Sequence, residues 1–439
     1  MAELLPAGKT LRPNRTPLPK VKRNGGSKLP KTCPFKLECA DKINFTIANG
    51  QEFMLRQASH KRISVLLLFC LLICLLLLGS AHWTQAQGDD NQKKFVNAAD
   101  PAFYYFGRVE RRDSSLWTWP GTGLRVAYSG SPHVTLRFFA DDFWETSSKG
   151  MAKAIWYRVD RGTWRRLPVG AGTTSDLPLV VPGDSNTHTL DVVKASEGRL
   201  FFNGILLEKF GTLQPAGVPP HKIEIVGDSI SAGFRIYGLA SYEVWEDHDA
   251  KASYGWLAGD QLNAEVRLIA ITGLGLVHNF GLGPGQTKTI PAYYPFIDRE
   301  GNNGNNWAAW QPEVIVVNVG TNDMTPPGNT PADQFQGAYI NLLAEVRQFN
   351  PGAAIVALQP FGLDSGAQRV YPKEIAAAVA ARRAAGDKRV IYVDTLGWLS
   401  SSDFNDGVHP NARGHARAAS HLASVIRRLP AAPNPLPGS

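Results

Sequence analysis

Between about residues 100 and 212, apolar and polar positions alternate with a period of two in short runs. Examples are Leu124-Arg125-Val126-Ala127-Tyr128, His133-Val134-Thr135-Leu136-Arg137-Phe138-Phe139 and Ala154-Ile155-Trp156-Tyr157-Arg158-Val159. Thr189-Leu190-Asp191-Val192-Val193 and Leu200-Phe201-Phe202 continue the pattern. Gly, Pro, Asp and Ser punctuate these runs and no helical period intervenes, which predicts a small all-β sandwich of jelly-roll type. The stretch Gln214-Pro215-Ala216-Gly217-Val218-Pro219-Pro220 then reads as a stiff linker, assigned to 213–220.

Beyond it the period changes. Strand-like runs (223–226, 265–271, 313–319, 353–359, 389–393) alternate with helix-like ones (252–263, 332–348, 373–385, 412–427). Such alternation predicts a three-layer α/β domain over 221–428, a parallel sheet with helices on both faces. Sites in such folds lie at the carboxyl ends of the strands. A Pro-rich tail, 429–439, closes the chain.

A third pattern lies upstream. An apolar run from Ile63 to Gly79, broken only by Ser64, follows Met54, Arg56, His60, Lys61 and Arg62 and precedes small residues at Ala81 and Ala86. This is the layout of a secretory signal peptide over 54–87, with an uncleaved type II anchor as the alternative. In both cases the basic flank stays cytoplasmic and the main domains are exported. Residues 1–53, rich in Pro, Lys, Gly and Asn, read as a disordered basic segment that reflects the choice of start site.

Charge and cysteines change the picture little. The formal charge of +8 is concentrated in residues 1–62, with 13 Lys/Arg against 4 Asp/Glu; the remainder holds 33 basic and 34 acidic residues. A near-neutral folded part offers no footprint for nucleic acid. All four cysteines (Cys33, Cys39, Cys70, Cys74) precede the predicted domains. No disulfide framework, thiolate nucleophile or cysteine-held metal is therefore available to them.

Three clusters fall where chemistry is expected. Gly227-Asp228-Ser229 follows the first strand of the α/β domain, with small residues after it where a helix begins. Asn318-Val319-Gly320-Thr321-Asn322-Asp323 follows the third strand, and Asp406-Gly407-Val408-His409-Pro410 precedes the last helix. Ester hydrolysis by a serine requires a base, an orienter for the base, and donors for the oxyanion. Asp406 and His409 can meet at the imidazole and leave its other nitrogen for Ser229. Asn322 offers a side-chain amide, and Gly273 or Gly275 a backbone N–H. Metal hydrolysis fits less well, for no His-x-x-x-His or Cys/His cluster occurs. A second copy of the tripeptide, Gly183-Asp184-Ser185, follows Pro182 and precedes Asn186 between two strands; it reads as a polar turn.

The ordered set of Gly-Asp-Ser, a glycine after the second strand, Gly-Thr-Asn-Asp and Asp-x-x-His-Pro resembles the SGNH (GDSL-type) hydrolase superfamily. Ala252-Ser253-Tyr254-Gly255-Trp256, Ile271-Thr272-Gly273-Leu274-Gly275-Leu276 and Pro291-Ala292-Tyr293-Tyr294 are similar to segments of the family 2 carbohydrate esterases, which carry a small β-sandwich before the hydrolase domain. The resemblance spans about residues 100–428. It implies Ser229 as nucleophile, His409 as base and Asp406 as its orienter, with Ser229, Gly273 and Asn322 lining the oxyanion hole. Members of this family often lack a functional acid at the triad position and use a dyad oriented by backbone; here Asp406 stands at the superfamily's usual spacing.

The resemblance further implies a secreted, monomeric esterase without cofactor or metal that removes acetyl groups from xylan or glucomannan. The same chemistry would serve a lipid or aryl esterase, and a carbohydrate-binding protein without activity is the rival from another class. Trp245, in the polar loop Ser241–Asp249, is expected to contact substrate. Ile230, Phe234 and Phe361 are expected to wall off the acyl pocket. His248, His278, His415 and His421 read as surface residues.

Overall fold

A computed structural model describes residues 93–141, 153–238, 247–282, 288–299, 304–325, 328–362 and 368–430. The segments 1–53 and 54–87, Trp245 and residues 431–439 lie outside the described residues. From Gln87 onward the chain forms one compact unit.

The first part of that unit contains only strands among its described residues. These are β1 (Lys93–Asn97), β2 (Tyr104–Phe106), β3 (Ser115–Trp117), β4 (Gly123–Ser129), β5 (Val134–Ala140) and β6 (Lys153–Val159). Then come β7 (Arg165–Val169), β8 (Thr173–Pro178), β9 (His188–Lys194), β10 (Leu200–Glu208) and β11 (Thr212–Gln214). One sheet runs β1-β10-β5-β8 with β3 also on β10; the other runs β11-β4-β9-β6-β7 with β2 also on β4. All of these pairings are antiparallel. The period-two signal has its physical meaning in β5, where Val134, Leu136, Phe138 and Ala140 are buried while Thr135, Arg137 and Phe139 are only half-buried. Trp117, Phe138 and Phe202 meet in the core between the sheets.

The α/β part begins at β12 (His221–Gly227) and continues through helix α1 (Ser229–Ala232), α2 (Tyr254–Leu262), β13 (Ala264–Ala270), α3 (Ile290–Tyr293) and β14 (Val314–Asn318). It ends with α4 (Ala332–Phe349), β15 (Ala354–Leu358), α5 (Pro372–Ala384), β16 (Val390–Val393) and α6 (Ala412–Arg427). The sheet order is β13-β12-β14-β15-β16, parallel throughout. Because successive strand side chains point to opposite faces, Val314 and Val316 join the cluster under α2 and α6, whereas Ile315 and Val317 join the one under α4 and α5. These are the three layers that the alternating pattern predicts.

The sandwich and the α/β part share buried polar contacts. Arg108, only 1% exposed, donates to both carboxylate oxygens of Glu224 on β12 and lies over the rings of Tyr294 and Trp307. A buried ion pair is stable only when its remaining donors are satisfied. Here the carbonyls of Tyr294 and Phe296 accept from the same guanidinium, and the Tyr294 hydroxyl donates to Glu224.

Candidate active site

The first cluster forms because β12 is fully buried at its carboxyl end and the chain must turn sharply there. Gly227 is required by space: a Cβ at this position would stand 2.0 Å from the Ser231 hydroxyl oxygen. Asp228 caps α1, its carboxylate accepting the Ile230 N–H at 3.0 Å. Burial pushes the Asp228 carboxyl up to about 6, against the pull of that N–H and of the His409 charge. Ser229 therefore opens the helix at the carboxyl end of the sheet, 4% exposed.

The chain then brings His409 to it across 180 residues of sequence. Ser229 Oγ stands 2.9 Å from His409 Nε2. On the other side of the ring, His409 Nδ1 is 2.8 Å from Asp406 Oδ2. The turn carrying both residues is closed by its own backbone: the Asn405 N–H donates to the His409 carbonyl, and Asp406 Oδ1 accepts the amides of Val408 and His409. Arg235 donates to Asp406 Oδ2 at 3.0 Å. Burial alone would raise the Asp406 carboxyl, but the hydrogen bond and charge of His409, the His409 amide and Arg235 outweigh it and hold the group well below the usual carboxylate range. An ionised partner on Nδ1 assigns the proton to that nitrogen and leaves Nε2 as the acceptor facing the serine. Phe234 packs on the His409 ring at 4.9 Å.

Gly273 and Asn322 lie on adjoining loops. Asn322 Nδ2 donates to the Leu274 carbonyl at 2.8 Å, which ties the two together and uses one of its two N–H groups. Asp323 accepts the amides of Leu276, Val277 and His278, so a single buried carboxylate holds the loop after Gly273. Of the two glycines that the sequence leaves open, Gly275 has its N–H taken by Asn279 Oδ1 at 3.0 Å. Among the described residues no acceptor takes the N–H of Gly273.

Several expectations change. Of the three supposed acyl-wall residues, Phe234 packs on the histidine, whereas Ile230 and Phe361 belong to the buried cluster under α2 and α6, Phe361 standing edge-on to Tyr254 at 5.2 Å. Three of the histidines read as surface residues are buried. His278 hydrogen-bonds the Asp323 carbonyl, His248 packs on Phe234, and His415 accepts the Tyr254 N–H, burial pushing its imidazole down to about 3. His421 is exposed and stacks on Trp398. Arg235 was not foreseen, and only its closeness in sequence to Ser229 could have singled it out. Among the described residues no group of three or more His, Cys, Asp or Glu is placed to hold a metal, and no helix is long and apolar enough to cross a membrane.

A parallel sheet of this order, with a serine opening the helix after its first strand and a histidine returning before the last helix, fits the GDSL-type hydrolases that the sequence resembles. Residues 225–417 match the GDSL-like Lipase/Acylhydrolase family. This part of the chain is thus a domain similar to that family, and the relatives of the chain are carbohydrate esterases. It is 28% identical over 336 residues to the Cellulase/esterase CelE of Acetivibrio thermocellus, which covers 75% of this chain and 39% of CelE. It thus spans well under half of that relative's length. It is 24% identical to an Acetylxylan esterase / glucomannan deacetylase of Cellvibrio japonicus, over 82% of this chain and 99% of that protein. The fold is that of a family two carbohydrate esterase from Clostridium thermocellum solved in complex with cellohexaose: TM-score 0.65, 23% identity, 74% of this chain and 98% of that one.

Proposed function

We propose that this protein is a secreted serine esterase that removes O-acetyl groups from plant cell-wall polysaccharide, xylan or glucomannan, through an acetyl-enzyme. The observation that carries the mechanism is the continuous chain Asp406 Oδ2, His409 Nδ1, His409 Nε2, Ser229 Oγ, at 2.8 and 2.9 Å. In the first half-reaction Ser229 Oγ bonds to the acetyl carbonyl carbon as His409 Nε2 takes the hydroxyl proton. The negative charge formed on the carbonyl oxygen is met by the N–H of Ser229, the N–H of Gly273 and the second amide N–H of Asn322. The carbon–oxygen bond to the sugar then breaks, and His409 returns its proton to the departing sugar hydroxyl. In the second half-reaction water gives a proton to His409 and attacks the acetyl-serine; acetate leaves and Ser229 regains its proton. Asp406 stays ionised and holds the imidazole in one tautomer throughout.

The carbohydrate-esterase relatives support a polysaccharide substrate, and the layout of residues 54–87 supports export. The test is turnover of acetylated xylan and glucomannan by the purified protein, followed by proton NMR of the released acetate and the residual acetyl groups. The same enzyme should lose kcat/KM steadily along an acetyl, butyryl, octanoyl series of one chromogenic alcohol. In an apolar pocket each added methylene contributes up to about 0.8 kcal/mol, so a series that rises instead identifies a lipid esterase with the same catalytic residues. Absence of turnover on every acetyl ester leaves the binding-protein reading.

A further inference from the structure

All of the groups used above come from the α/β part, yet a turn of the sandwich reaches the same place. The turn Ala195-Ser196-Glu197-Gly198 joins β9 to β10 and is rigidly mounted. Lys194, fully buried, donates from Nζ to the carbonyls of Trp117 and Thr118 at 3.0 Å each and to that of Gly198. From this mount the Ala195 carbonyl accepts the Ala250 N–H at 2.7 Å, and Glu197 Oε1 accepts the Thr272 N–H at 2.8 Å.

Thr272 is the residue before Gly273. Gly273 sits at φ +80°, in the left-handed region that glycine enters freely, and glycine is also the residue with the most backbone freedom to lose. A donor on such a residue is preorganised only if its neighbours are anchored. Here they are. The Thr272 N–H is held by Glu197, the Gly273 carbonyl accepts the Phe280 N–H at 2.8 Å, and the Leu274 carbonyl accepts from Asn322. Two of these anchoring partners are uncharged; Glu197 supplies the charge-assisted bond, shorter and stronger than a neutral one. A free carboxylate here would oppose the oxyanion, but the Arg299 guanidinium, 9% exposed, stands 3.9 Å from Glu197.

We propose that Glu197 of the sandwich is a positioning residue for the Gly273 oxyanion donor, so that the active site is completed by both parts of the protein. The proposal rests on the serine-esterase reading and deepens it.

The experiment measures kcat and KM of the full-length protein on an acetyl ester of a chromogenic alcohol. Glu197→Ala should lower kcat about 10- to 10²-fold, the scale of a misaimed catalytic group, with KM changed by less than about twofold because only transition-state stabilisation is lost. Glu197→Gln, which keeps an oxygen acceptor for the Thr272 N–H, should recover most of the rate. Should Glu197→Ala fail to fold, Glu197→Asp withdraws the acceptor by one methylene while keeping the charge, and should also lower kcat. Tyr104→Phe is the control: it removes a hydrogen bond from the sandwich to Glu265 at the other end of the sheet, and should lower the melting temperature without lowering kcat. Unchanged kcat in Glu197→Ala and Glu197→Asp, an effect on KM alone, or an equal loss of kcat in Tyr104→Phe would each overturn the proposal. A wild-type protein without turnover, or a Ser229→Ala variant that keeps it, overturns the esterase reading itself; wild-type turnover lost in Ser229→Ala but kept in Glu197→Ala overturns only the role of Glu197.

Discussion

The chain writes Gly-Asp-Ser twice, and the two copies have become different objects. Residues 183–185 form an exposed turn of the sandwich, where Asp184 accepts the Asn186 N–H and hydrogen-bonds His188. Residues 227–229 are buried at the end of a central strand, where Asp228 caps a helix and Ser229 faces His409. The same carboxyl is driven in opposite directions. The hydrogen bond from His188 lowers Asp184, whereas burial raises Asp228 to about 6. A tripeptide thus carries no chemistry of its own. The strand that buries it, and the residue that the fold returns to it, supply the chemistry.

The largest effect expected is at the two serines. Ser229→Ala should remove turnover by a factor on the order of 10⁶, the scale for losing a serine nucleophile, while Ser185→Ala leaves kcat/KM unchanged; equal behaviour of the two variants breaks the comparison. Asp406→Asn comes next. If the carboxylate sets the tautomer of His409, kcat should fall by about 10⁴. A near-normal rate would show a Ser–His dyad oriented by the backbone of the 405–409 turn.

Asn322→Ala should lower kcat by about 10²–10³ at nearly constant KM, as for loss of one oxyanion donor; a change confined to KM would make Asn322 a substrate-positioning residue. The smallest effect sharpens the contrast between the two aspartates and is read in stability. Asp228 has a folded pKa of about 6, above its unfolded value of about 3.9, so its ionisation opposes folding in full above about pH 6, and this penalty fades as pH falls toward about 4. Relative to Asp228→Asn, the wild type should therefore lose up to about 3 kcal/mol as pH rises from 4 to 7. Asp184 is shifted downward, so its contribution is present above about pH 4 and lost in more acidic solution; relative to Asp184→Asn, the wild type should weaken as pH falls. Thermal melts of both pairs across pH 3–8 check the signs, and parallel curves would refute them.

Most of the architecture was legible along the chain because its signals are local. A period of two buries one face of a strand, an alternation of strand and helix periods demands a parallel sheet, and the five strands and four long helices of the α/β part follow those runs closely. The short strands β2, β3 and β11 escaped, since three residues are too few to show a period. The glycine before the serine was equally local, a matter of space against Ser231.

What the sequence by itself determined, then, was the order of elements and the identity of the polar blocks that the fold brings together, because both depend on neighbours within a few residues. The tertiary structure alone decided which residues stand behind those blocks. Arg235 reaches Asp406 across 171 positions, Arg108 meets Glu224 across 116, and Glu197 takes the Thr272 amide across 75. His415 and His278 had the composition of surface residues and became buried hydrogen-bond partners. The physical reason is the same in each case: a polar side chain has no periodicity to announce its partner, and burial makes that partner necessary only once distant segments have packed together.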